Sequence, residues 1–183
     1  MPYGYRGKIL HVDLTRRQIE IEEKEDAFYR TYLGGRGIGY HYLLKEVPAR
    51  IDPLSANNIL VLATGVMTGS PLAASCRFSA VGKSPLTGTA GESEAAGFFG
   101  PELKMAGFDA IVFRGKADNP VYLWVTEGRA EIRRLSICER GVKGGRRCYP
   151  QRDGKPEDPG SPDRSCRNEP CPFCQHYKQS RPF

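Results

Sequence analysis

Arg77 is a long, planar, permanently charged side chain set among small ones. Residues 69–116 around it are rich in Gly, Ala and Ser. A small-residue backbone approaches a bulky ligand closely and turns its N–H groups toward it. A guanidinium adds a fork suited to phosphate or to the edge of a flat ring. Together they read as a polyanion-binding surface, of the kind that holds a cofactor carrying phosphates. Arg36, between Gly35 and Gly37, has two readings: an anion contact at a helix N-terminus, or a solvated arginine. Glu92 and Glu94 are a carboxylate pair or two solvated loop residues. His41 is a ligand or acid, or an amphipathic histidine on a helix surface; the second reading is favoured. Cys76 has apolar neighbours and reads as a buried, inert thiol. Residues 83–88, K-S-P-L-T-G, look like a phosphate loop but lack the G-x-x-x-x-G-K-[ST] spacing and are expected to form a turn.

The elements that must position these groups follow from periodicity. Residues 6–13 and 18–22 alternate polar and apolar, as half-buried strands of a hairpin do. Residues 25–33 form a helix with Phe28, Tyr29, Tyr32 and Leu33 on one face, closed by a C-cap at Gly34-Gly35. A second helix covers 37–47. Residues 58–64, N-I-L-V-L-A-T, are a near-continuous apolar run, expected to be a strand buried on both faces. Residues 76–81 are a strand that places Cys76, Phe78 and Ala80 on its core face and Arg77, Ser79 and Val81 on the other. Its structural alternative for Arg77 is a surface salt bridge. Pro101, with Glu102 behind it, reads as the first position of a helix that stops at Ala106-Gly107. Residues 109–113 and 121–125 are strands, and Glu131-Ile132-Arg133 begins a last one.

Charge divides the chain. All 183 residues carry a formal +6, yet residues 1–132 hold fifteen Lys and Arg against fifteen Asp and Glu. The excess lies in residues 133–183, with five of the six cysteines. The neutral body gives no electrostatic reason to bind nucleic acid. No stretch approaches the ~18 apolar residues of a membrane span, and the N-terminus lacks the apolar segment of a signal peptide. A cytoplasmic protein without membrane partners is the expectation.

Three motifs carry a family resemblance: Y-L-G-G-R-G, R-F-S-A-V-G-K-S-P-L-T-G, and above all G-F-F-G-P-E-L-K-M-A-G-F-D-A-I-V-F-R-G-K-A. From about residue 4 to 133 the sequence resembles the N-terminal domain of the aldehyde ferredoxin oxidoreductase family of tungstopterin enzymes. The resemblance implies an α+β fold with mixed and antiparallel sheets and a few helices. That fold is the first half of a duplicated base on which a tungsten or molybdenum bis-pterin lies. It implies that Arg77 contacts the pterin. The family's asparagine and glycine before the G-F-F-G motif fall here on Glu94 and Ala96, with Ala95 and Gly97 beside them. Both are departures. A carboxylate at position 94 adds negative charge beside an anionic cofactor, so it is redirected or accepts from a pterin N–H. The implied full-length enzyme oxidises a small aldehyde to a carboxylate. It passes electrons through a four-iron four-sulfur cluster to ferredoxin, and homodimerisation is expected. The cluster cysteines and substrate-pocket acids fall in segments this chain lacks, so no catalytic or metal-binding residue is assigned. The chain reads as a truncated, inactive fragment.

Residues 134–183 depart from the family pattern. Cys166-x4-Cys171-x2-Cys174-x-His176 has the composition of a zinc site, and with the basic charge it gives an alternative: a non-catalytic binding module whose tail contacts nucleic acid. A disordered natural tail is another reading. The favoured one is a frameshift. Back-translated and read one nucleotide later, residues 148–179 spell, with permitted codon choices, a stretch ending V-R-F-A-N-I-I-N. That resembles the family's own continuation. The slip is expected between Arg134 and Cys148.

Overall fold

The computed structural model describes residues 4–134. The cysteine-rich motif, the zinc alternative and the frameshift reading all lie outside the described residues. A six-stranded sheet has the order β2-β1-β6-β3-β4-β5. The strands are β1 (Lys8–Asp13), β2 (Gln18–Glu23), β3 (Ile59–Thr64), β4 (Phe78–Lys83), β5 (Ala90–Ala95) and β6 (Ala110–Arg114). β1 and β6 run parallel; the other neighbours are antiparallel. The fold is therefore α+β with a mixed sheet, as expected.

Strand alternation sorts the core into two layers. Ile9, Val61, Ala63, Val81, Ala110 and Val112 face α1 (Asp26–Tyr32) and α2 (Arg36–Glu46), meeting Tyr29, Ile38, Tyr42 and Leu43. Leu10, Val12 and Ile111 face the other way. They pack with Leu103 of α3 (Phe99–Met105) and with the hairpin β7 (Val121–Thr126)–β8 (Arg129–Arg134). Each fully buried Val, Ile or Leu contributes about 1.5–3 kcal/mol. The β7–β8 turn puts Glu127 and Gly128 both at positive φ (44° and 75°), as a tight mirror-type hairpin requires. Among the described residues no helix is long and apolar enough to cross a membrane.

Five expectations need correction. β3 is not buried on both faces: Leu60 is 46% exposed, because the β7–β8 hairpin packs over β1 and β6 instead. β4 begins after Arg77, and its faces are reversed. Ser79 and Val81 are buried and Phe78 is half-buried, because Gly39 opens a gap in α2 that Val81 fills. Glu92 and Glu94 lie on a strand, not in a loop. α3 starts at Phe99, which puts Pro101 at its third residue, still within the turn that needs no Pro N–H. The left-handed C-cap of α1 is Leu33 (φ 61°), with Gly34 following it.

Candidate functional site

The C-terminal end of β3 opens a cleft of about 420 Å³. Its walls are the Gly34-Gly35-Arg36 turn, the loop 65–75, and Arg77, Ser79 and Glu94. Backbone bonds build it from the sheet outward. Gly35 N–H donates to the Thr64 carbonyl at 2.9 Å, and Thr64 Oγ1 donates to the Asp109 carbonyl at 2.8 Å. A side chain on Gly34 would put its Cβ 2.8 Å from the Thr64 oxygen, and Gly34 already sits at φ 123°. Only glycine brings the chain this close to the strand end.

Thr68 ties the loop to the arginine. Its hydroxyl accepts from Gly65 N–H at 2.9 Å and donates to the Arg77 carbonyl at 2.7 Å. From the other side, α3 presses on the same segment. A Cβ on Gly100 would meet Thr68 Cγ2 at 3.0 Å and the Cys76 carbonyl at 3.2 Å. That contact is the physical reason for the second glycine of G-F-F-G. Phe99 then packs on Phe78, their ring centres 4.7 Å apart.

Lys104 anchors the floor. Its Nζ donates to the carbonyls of Gly4, Gly65 (2.9 Å) and Val66 (3.4 Å) and lies 3.4 Å from Asp109 Oδ1. Asp109 in turn accepts from the backbone N–H groups of Arg6 (2.9 Å) and Gly7 (2.7 Å). Burial lowers the Lys104 pKa, and Asp109 opposes that shift. The residue was visible in the sequence only as part of a helix start.

Arg77 is outside the core, its side chain 68% exposed, with Glu94 Oε2 3.5 Å from Nη1. Glu94 Oε1 is held more tightly, 2.7 Å from Arg36 Nη2. Arg36 Nε is 3.0 Å from Glu92, which accepts from Tyr40 Oη at 3.1 Å. Hydrogen bonding to Arg36, then its charge, lowers the Glu94 pKa, and the same contact raises that of Arg36. Arg36 thus has partners and is not merely solvated. Ala95, Ala96 and Gly97 follow Glu94 on the exposed end of β5 and beyond; they do not line the cleft.

His41 packs against the rings of Phe28, Tyr32 and Tyr42, the surface reading of that residue. Cys76 is half-buried rather than buried, and among the described residues it has no disulfide partner. Among the described residues no three His, Cys, Asp or Glu side chains gather as metal ligands. The missed participants are Thr68 and Ser79, which line the cleft; nothing in the sequence marked either as part of a site.

The model of the family described as aldehyde ferredoxin oxidoreductase, N-terminal domain, matches residues 9–144. The match continues past residue 133, where the sequence reading ended the resemblance. The chain is 46% identical over 134 residues to a tungsten-containing aldehyde ferredoxin oxidoreductase of Pyrococcus abyssi, covering 73% of this chain and 22% of that protein. It is 42% identical over 135 residues to the WOR-like subunit of an aliphatic sulfonate oxidoreductase of Pyrococcus furiosus, covering 72% and 21%. Among solved structures, the active-site complex BamBC of benzoyl coenzyme A reductase, in complex with 1,5-dienoyl-CoA, superposes with a TM-score of 0.70 at 38% identity. That alignment covers 73% of this chain and 20% of the other. The chain thus spans about a fifth of the length of the curated relatives it matches. The match takes in the glycine turn, the Arg77 segment and the G-F-F-G helix that shape the cleft, and by it the chain belongs to the aldehyde ferredoxin oxidoreductase family, through that family's N-terminal domain.

Proposed function

We propose that the cleft is one wall of a tungsten- or molybdenum-pterin site in an oxidoreductase that takes small aldehydes to carboxylates. The observation that carries this reading is the exposed Arg77 guanidinium, set at the rim of a glycine-walled cleft in a domain of this family. The residues fit such a group in kind. Close backbone approach at Gly34 and Gly35 admits a flat ring system, and the charged side chains lining the cleft, Arg36, Arg77 and Glu94, sum to +1. When bound, a metal-pterin supplies two-electron redox chemistry at the carbonyl carbon. The chain's own part is to bind and orient. Arg77 offers paired N–H donors, Thr68 fixes its backbone, and Lys104 fixes the loop that faces it. Catalysis is assigned to no described residue.

In the full-length enzyme of this reading, electrons leave through a four-iron four-sulfur cluster to ferredoxin. The protein is cytoplasmic and dimerises. Ala95, Ala96 and Gly97 would meet the cofactor only where it extends past the cleft along the end of β5.

The test is purification of the full chain from a host that makes the cofactor, grown with tungstate or molybdate. Metal analysis and fluorescence of oxidised pterin are the readouts. Metal and pterin are expected together, both sharply reduced in Arg77→Ala. A wild-type chain that folds but carries neither overturns the proposal.

A further inference from the structure

An unbroken run of aromatic rings crosses the helix layer. It starts at Tyr5, whose hydroxyl donates to the carbonyl of Leu33, a residue of the cleft wall, at 3.3 Å. The Tyr5 ring stacks on Tyr29, their centres 4.4 Å apart. Tyr29 meets Phe28 at 5.4 Å, and Phe28 meets Tyr32 at 4.9 Å. Tyr32 meets His41 at 4.4 Å, and His41 meets Tyr42 at 5.1 Å. Packing alone accounts for ring contacts in a core. Here, in addition, the oxidisable rings recur: no phenol in the run is separated from the next by more than one other ring.

A second observation sets the far end apart. Tyr42 is 2% exposed, and its hydroxyl donates to Glu22 Oε2 at 2.5 Å. That is a charge-assisted bond at the short end of its range. The Tyr29 hydroxyl, also buried, has no hydrogen-bond partner among the described residues. A phenol that loses an electron becomes a strong acid and passes its proton to any base in reach. Tyr42 has a carboxylate in place for that proton. Lys24, at 2.6 Å, and His11, at 2.9 Å, hold the carboxylate there. These donors keep Glu22 a weak base, at about 2, but an oxidised phenol is a far stronger acid than a carboxyl group.

We propose that these rings form an electron relay from the cleft wall to a redox-active tyrosine, Tyr42, with Glu22 as its proton acceptor, and that the relay protects the cleft from one-electron oxidants of the hydroxyl-radical class. The oxidant at the cleft gains one electron and becomes hydroxide. Tyr42 supplies that electron through Tyr32, Tyr29 and Tyr5, and its phenolic proton moves to Glu22. The products are a neutral phenoxyl and a neutral carboxyl group. A soluble thiolate then returns one electron through the half-buried Tyr32 and becomes a thiyl radical, and Glu22 gives the proton back. The sink lies at the far end of the run from the cleft wall, so the radical is held apart from whatever the cleft binds. Only the setting, a redox cofactor in the cleft, rests on the reading above; the relay belongs to the chain alone.

The experiment supplies the oxidant at the cleft and needs no cofactor. In the full chain the six native cysteines are replaced by serine, and Met67→Cys, at an exposed position of the cleft wall, carries a ruthenium tris-bipyridine sensitiser. Flash oxidation is followed by electron paramagnetic resonance. Exposed tyrosines give phenoxyls that decay by pairing with one another. Tyr42 is expected to give a long-lived one whose g-tensor carries the mark of its hydrogen bond to neutral Glu22. Tyr42→Phe is expected to lose that signal, as is Glu22→Gln, which accepts a hydrogen bond but no proton. Tyr29→Phe keeps a ring but not an oxidisable one, and is expected to lose most of it. A long-lived signal unchanged in Tyr42→Phe, in Glu22→Gln or in Tyr29→Phe overturns the proposal. Should Glu22→Gln fail to fold, the two Tyr→Phe variants still decide. A metal-pterin that co-purifies with a chain giving no radical at Tyr42 sinks the relay and leaves the cofactor reading standing. A radical at Tyr42 in a chain that never carries pterin does the reverse.

Discussion

Lys104 and Asp109, buried together with 3.4 Å between Nζ and Oδ1, join the start of the chain to the loop of the cleft. Neither charge has water to fall back on, so the pair is worth most when one member is missing. Lys104→Met leaves the Asp109 carboxylate buried without its cation. The expected loss is about 3–5 kcal/mol, read as a lower urea midpoint at unchanged slope. A loss under about 1 kcal/mol would mean the carbonyl contacts of Lys104 carry little.

At Gly39 the helix α2 lies directly against Val81 of β4. A Cβ at position 39 would stand 2.4 Å from Val81 Cγ2 and 2.7 Å from its Cβ. Gly39→Ala should therefore destabilise by about 1–3 kcal/mol despite the better helix propensity of alanine. Adding Val81→Ala should recover part of that loss. Simple additivity in the double-mutant cycle would show that the two residues do not meet.

Acid should loosen the far end of the sheet. Arg114 can only donate, so the 2.8 Å contact makes His11 Nδ1 an acceptor and puts the proton on Nε2, 2.9 Å from Glu22. Burial, aided by the Arg114 charge, lowers the His11 pKa below its usual 6.5. Protons then bind the unfolded chain more readily. Stability from this group is whole above about pH 6.5 and falls as pH drops through the lowered native value. Glu22 acts in the same direction. Burial would raise its pKa, but hydrogen bonds from Lys24, Tyr42 and His11 outweigh that and hold it at about 2, against 4.5 unperturbed. Its contribution is lost as pH falls from about 4.5 toward 2. Unfolding midpoints taken from pH 7.5 to 3 should decline in two stages, and His11→Gln should flatten the upper one. A flat profile between pH 7 and 5 would refute the His11 assignment.

Thr68→Val removes the hydroxyl that joins Gly65 N–H to the Arg77 carbonyl. The expected cost is about 1–3 kcal/mol, with faster amide exchange confined to the loop 65–77. Exchange that quickens uniformly across the sheet would point to global loss instead.

The α+β class and most elements could be read from alternation and turn residues. β5 could not. Its A-G-E-S-E-A has no β-branched or aromatic residue, so it lacks the local mark of a strand and is one only because β4 lies beside it. The facing of β4 was read backwards for a related reason. Ser79 and Val81 turn inward because of a gap at Gly39, on an element forty residues away, which no local window contains. Arg77 was legible as an exposed cation in a small-residue setting. Its neighbour Arg36 was left open because its partners, Glu92 and Glu94, are distant in sequence and on a strand not foreseen.

Thr64 joins both lips of the cleft to the sheet. Its carbonyl receives Gly35, its hydroxyl reaches Asp109, and the loop 65–75 leaves directly from it. Both lips therefore share one anchor, so a change at Thr64 reaches the two sides of the opening at once.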